Sequence, residues 1–158
     1  MRIPRIYLET TIFNYYFDTE REAHADTVKL FEEIKAGKYE AFTSMYAVRE
    51  LRDAPPEKMK KMLTLIDEYG VTTLDFSTEA EQLAEIYVRE RIIPAKFSTD
   101  SFHIAVATVN DLDMILSLNF KHIVRKKTIE LTALINTREG YRRIGVYTPM
   151  EVVEHEYE

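Results

Sequence analysis

The sequence predicts an α/β fold, a parallel sheet covered by helices on both faces. Three observations carry this prediction. Short β-like runs alternate with longer runs of helical periodicity along the chain, the pattern of a doubly covered sheet. Residues 114–118 (Met-Ile-Leu-Ser-Leu) are mostly apolar, as central parallel strands are. Chain breakers, Gly37, Pro55-Pro56 and Gly70, fall between the periodic runs.

The first strand is expected over residues 3–8, ending at Glu9-Thr10-Thr11, with a short helix after it. Residues 23–36 place Val28, Leu30, Phe31 and Ile34 at helical spacing, with Gly37 as the stop. A second strand follows over 39–43. A helix over 44–53 is ended by Pro55-Pro56. Met59, Met62, Leu63 and Ile66 then form an amphipathic stripe closed by Gly70.

Residues 71–76 read as the third strand. Thr78 and Glu81 have capping-box spacing ahead of the stripe Ala80, Leu83, Ala84 and Tyr87. Residues 99–110 predict a helix with small and apolar side chains on most faces, hence mostly buried. The fourth strand spans 114–118, a helix runs from about 127 to 138, and the fifth strand spans 144–147. No repeat or linker interrupts this order, so residues 1–158 read as one domain.

Composition narrows the function. With 46% apolar residues the chain can bury a sizeable core, and four Gly and five Pro leave little room for disorder. Cysteine is absent, which excludes disulfides and thiolate zinc sites. The first five residues lack the apolar core of a signal peptide, and no apolar run approaches a membrane span, so a cytoplasmic protein with no membrane partner is expected. A formal charge of −6 argues against nucleic-acid binding by charge alone. A polyanion must be met by a local basic patch or by cations held on carboxylates.

In parallel sheets, ligands bind at the carboxyl ends of strands near a topological switch point. Two strand ends carry polar groups, Glu9-Thr10-Thr11 and Ser117-Leu118-Asn119-Phe120. Glu50 lies in the helix after the second strand, with Asp53 one turn away as its alternative. Asp100 opens the buried helix, where it either supports the helix start or ligates a cation. Hard divalent cations take oxygen ligands of this kind. Asn119 reads as a ligand or a turn former, and Thr11 as a carboxylate-orienting group or a cap. His103 reads as a satisfied core histidine. Phe13, Tyr15, Tyr16 and Phe17 read as core or dimer packing residues, with stacking on unpaired bases as the alternative.

Four segments resemble those of PIN domains. Residues 6–13 (Ile-Tyr-Leu-Glu-Thr-Thr-Ile-Phe) are similar to the opening strand, and residues 44–51 (Ser-Met-Tyr-Ala-Val-Arg-Glu-Leu) to the helix that delivers a glutamate. Residues 100–107 (Asp-Ser-Phe-His-Ile-Ala-Val-Ala) resemble the acidic entry to a small-residue helix, and residues 116–123 (Leu-Ser-Leu-Asn-Phe-Lys-His-Ile) the closing segment.

This resemblance implies a three-layer α/β/α fold with a five-stranded parallel sheet in the order 3-2-1-4-5. It also implies a Mg²⁺- or Mn²⁺-dependent endoribonuclease of the VapC type, usually a homodimer neutralised by an antitoxin. On this basis Glu9, Glu50, Asp100 and Asn119 are the expected metal ligands, with Thr11 beside them. The sequence departs from the family pattern at Glu9 and Asn119, where aspartates are usual, so one ion is expected to be held better than two. The alternative is a catalytically weakened module of the same fold that binds nucleic acid or protein.

The basic run around Lys121, Arg125, Lys126 and Lys127 is the candidate RNA-backbone contact, or a solvated face. Arg138, Arg142 and Arg143 form a more distant candidate, and Lys58, Lys60 and Lys61 read as a wet helix face. No Asp-x-Asp follows the first strand and no phosphate-binding Gly-rich loop is present, which counts against other phosphate-handling α/β enzymes.

Overall fold

The structure, a computed structural model, describes residues 2–155. Five strands, β1 (Arg5–Leu8), β2 (Glu40–Ser44), β3 (Thr72–Leu74), β4 (Met114–Leu116) and β5 (Gly145–Tyr147), form one sheet in the order β3-β2-β1-β4-β5. Every pairing is parallel, with Tyr7 of β1 opposite Phe42 of β2 and Ile115 of β4. The order reverses between β1 and β4, so their carboxyl ends flank the switch point.

The pleat divides the core into two layers. Tyr7, Phe42, Ile115 and Val146 face α5 (Thr78–Arg89), α6 (Ser98–Val109) and α7 (Lys126–Arg138). Ile6, Leu8, Ala41 and Leu116 face α1 (Thr10–Phe17), α2 (His24–Lys35) and α4 (Pro56–Glu68). Between β2 and α4 runs α3 (Met45–Leu51), capped by Ser44, whose hydroxyl accepts the Ala47 N–H. Helix α6 is buried along most of its length, as its small residues predict. Gly37 and Gly70 end α2 and α4 with φ of +83° and +63°, a backbone region that L side chains rarely adopt.

Some boundaries differ from the sequence expectation. Strand β4 stops at Leu116 because the next residues turn to α1: the Ser117 hydroxyl reaches Glu9, and the Leu118 N–H donates to the Thr11 hydroxyl. Ser77, not Thr78, caps α5, accepting the Ala80 N–H at 3.1 Å. The capping-box pairing occurs instead at Thr148 and Glu151, opening an unexpected helix α8 (Pro149–Val152). Tyr16 packs edge-on against Phe17, Phe31 and Tyr69, which accounts for much of the aromatic run after β1 as packing. No helix among the described residues is long and apolar enough to cross a membrane.

Candidate active site at the sheet switch point

Glu9 directly follows β1 and occupies the N-cap position of α1, yet its carboxylate makes no capping bond. It is 2% exposed and turns toward β4. Its Oε1 accepts the Thr11 hydroxyl at 2.5 Å and the Ser117 hydroxyl at 2.6 Å. Burial pushes its pKa up, and the nearby Glu50 charge adds to this, against the lowering influence of His103 and the two hydroxyls. Thr11 is thus an orienting residue whose oxygen also receives the Leu118 N–H at 2.8 Å.

Glu50 lies near the end of α3, one-third exposed. Its Oε1 accepts the Thr10 hydroxyl at 2.7 Å and contacts His103 Nε2. Burial alone would raise its pKa. Hydrogen bonding and charge from His103, with the Thr10 hydroxyl, outweigh burial and hold it below the usual value. Asp53 is exposed, and it is Glu50 that contacts His103. His103 is fully buried, as expected of a core histidine, and its other nitrogen meets the Tyr7 hydroxyl at 2.6 Å. Burial lowers its pKa, but Glu50, Glu9 and Asp100 together raise it above the ordinary value.

Asp100 sits in the first turn of α6, with its side chain 13% exposed. Its Oδ2 is 2.9 Å from His122 Nδ1, and the His122 ring lies against Phe97, 4.2 Å between centroids. Burial raises its pKa despite both histidines. Asn119 behaves as a turn former. Its Oδ1 accepts the His122 N–H at 3.0 Å, and its own N–H donates to the Ser117 hydroxyl.

Each of the three acids therefore has one oxygen fastened by a neighbour. The other, Glu9 Oε2, Glu50 Oε2 and Asp100 Oδ1, makes no hydrogen bond among the described residues. Oxygen donors of this kind fit a hard divalent cation. Among the described residues, no group of three or more His, Asp or Glu side chains is placed where together they could hold a metal ion. Glu50 is nevertheless in electrostatic reach of both Glu9 and Asp100.

Lys121, Arg125, Lys126 and Lys127 are all exposed just beyond Asn119. The Lys121 ammonium lies 5.5 Å from the Phe97 ring centroid, beside His122. Arg138 and Arg142 are held by acids, Arg138 by Glu90 and Glu139, and Arg142 by Asp111 and Asp113. Asp113 precedes β4, so Arg142 belongs to the opposite end of the sheet. Sequence reasoning missed Thr10 and Ser117 as partners of the acids and Tyr7 and Ser44 as the groups behind His103, and left His122 inside a basic run read as an RNA-backbone contact or a solvated face. One signal was available: Asp100 and His103, three apart on one helix, share a face.

No family model and no curated protein matches the sequence. Solved structures do match. One is a chain of VapBC2 from Rickettsia felis, crystallised bound to a DNA fragment from their promoter, which aligns with 91% of this chain and 98% of its own at a TM-score of 0.57 and 12% identity. That likeness carries the fold, and the chain is PIN-like in its architecture, with the five-stranded parallel order 3-2-1-4-5.

Proposed function

We propose that this protein is a metal-dependent endoribonuclease that hydrolyses RNA phosphodiesters, with Glu9, Glu50 and Asp100 holding Mg²⁺ or Mn²⁺ and Asn119 assisting. One observation carries the reading. Three acids on separate elements at the switch point each keep one oxygen anchored and the other without a hydrogen bond among the described residues. When bound, the cation supplies Lewis-acid polarisation of a phosphoryl oxygen and lowers the pKa of a water.

The chain's own residues do the rest. Thr11 and Ser117 fix Glu9, Thr10 and His103 fix Glu50, and His122 fixes Asp100. Lys121, Arg125, Lys126 and Lys127 bind backbone phosphates and offset the chain's −6 charge locally. The likeness to VapBC2 supports a toxin role with an antitoxin partner. The homodimer is proposed on the resemblance to VapC-type toxins alone, and work in the cytoplasm on the sequence's lack of a signal-peptide core or membrane span.

Two observations favour a second reading, a catalytically weakened module that binds nucleic acid or protein. The three acids do not form a closed ligand group, and Asn119 brings no charge while its oxygen already serves the His122 N–H. Cleavage of a mixed-sequence single-stranded RNA separates the two. With Mn²⁺ or Mg²⁺ the wild type is expected to cut, EDTA to stop it, and Asp100→Asn to reduce it at least 100-fold, on the order of the loss when a group acting on the transition state is removed. Equal cutting by Asp100→Asn removes this residue from the site. RNA binding without cutting, in a protein that takes up no Mn²⁺, moves the assignment to the binding module.

A further inference from the structure

His103 is a fully buried ionisable side chain among the small and apolar residues that fill the rest of the buried face of α6, and core packing alone does not call for it. Its two nitrogens join a closed circuit. Ser44, the N-cap of α3, meets the Tyr7 hydroxyl of β1 at 2.7 Å. Tyr7 meets His103 Nδ1 of α6 at 2.6 Å, and His103 Nε2 meets Glu50, back on α3.

Donor chemistry orients the circuit. An ionised carboxylate only accepts, so Nε2 carries the proton toward Glu50. In the neutral ring Nδ1 then accepts from Tyr7, and Tyr7 accepts from Ser44, whose oxygen also receives the Ala47 N–H at 3.3 Å. The circuit starts at the N-cap of α3, passes through the central strand β1 and through α6, and ends on α3 itself. Thr10 adds a second donor to the same Glu50 oxygen.

We propose that His103 and Tyr7 are positioning residues, which lock Glu50 through the Ser44–Tyr7–His103 circuit so that Oε2 alone is left for the cation. This rests on Glu50 being a ligand, as argued above. Hydrogen bonds behind metal ligands commonly contribute 10–100-fold in metal affinity. The role differs from simple packing because it depends on single polar atoms. Tyr7→Phe removes one hydroxyl and keeps the ring, His103→Leu removes the donor, and His103→Gln returns a donor near Nε2.

Mn²⁺ affinity by calorimetry, on variants shown to be folded by circular dichroism, tests the proposal together with ¹⁵N shifts of the His103 ring. Tyr7→Phe and His103→Leu are expected to weaken Mn²⁺ binding about 10–100-fold, and His103→Gln to recover most of it. The wild-type ring is expected to be protonated at Nε2. Folded Tyr7→Phe and His103→Leu proteins with wild-type affinity overturn the positioning role. A ring protonated at Nδ1 alone overturns the circuit itself, whatever the metal result. A wild type that takes up no Mn²⁺ overturns the metal assignment of the previous section, and the role of His103 towards a cation with it.

Discussion

Asp100 and Asp113 are the same residue type in opposite surroundings. Asp113 receives the Arg5 N–H at 2.7 Å and pairs with Arg2 and Arg142. Burial opposes its ionisation, but these donors win and hold its pKa below the usual value. Because the folded value is depressed, its contribution to stability is present above the unfolded pKa, near 3.8, and is lost as pH falls through the lower folded value. Asp113→Asn is therefore expected to be less stable than wild type at neutral pH, with the two denaturation midpoints converging in acid. A constant gap across the pH range would show that the ionised form is not what matters.

Asp100 runs the other way. Burial raises its pKa, so an amide in its place removes a costly charge and still accepts from His122. Asp100→Asn should remain folded at neutral pH while losing the cation, and a variant unfolded by circular dichroism would contradict this. At this scale the sequence marked Glu9 and Asp100, because a strand end and a helix start are local features, while Glu50, inside a helix, stayed open against Asp53. It did not show Thr10, Ser117 or His122 as their partners. Those pairs join residues 40, 108 and 22 positions apart, and no local period encodes them.

Helix ends carry the element-scale lessons. Thr78 with Glu81 has the spacing of a capping box, but Ser77 takes the cap because its extended backbone, φ −139° and ψ 120°, presents its oxygen to the Ala80 N–H. Ser77→Ala is expected to cost about 1 kcal/mol in chemical denaturation and Thr78→Ala much less. The reverse order would return the cap to Thr78. Helix α7 opens with Arg125 at its N-cap and Lys126 and Lys127 in its first turn, where the helix dipole disfavours cations. The exposed Lys126–Glu130 pair at 3.9 Å offsets little of this. Lys126→Glu with Lys127→Glu should raise stability by about 0.3–1 kcal/mol per residue. The same change should weaken RNA binding and flatten its salt dependence. Unchanged RNA affinity would leave the run as a solvated face.

Across the whole molecule, the alternation of periods was enough to read a parallel sheet covered on both faces, because each strand and helix shows its buried side in its own residues. The strand order was not readable from those periods and came from the four motif segments. Pairings such as Tyr7 with Ile115 are set by which helices cover which face. The two core layers meet across β4, where Ile115 faces one and Leu116 the other, both fully buried. This sheet fixes the ends of β1 and β4 side by side, and so sets Glu9 against Ser117.

The proposed function requires that this switch point hold a divalent cation between Glu9, at the junction of β1 and α1, Glu50 of α3 and Asp100 of α6. Anomalous diffraction from crystals soaked in Mn²⁺ tests it most directly. A peak is expected within coordination distance of Glu9, Glu50 and Asp100, absent from Asp100→Asn crystals. A fully soaked wild-type crystal with no peak there, or with Mn²⁺ bound only elsewhere, would contradict it.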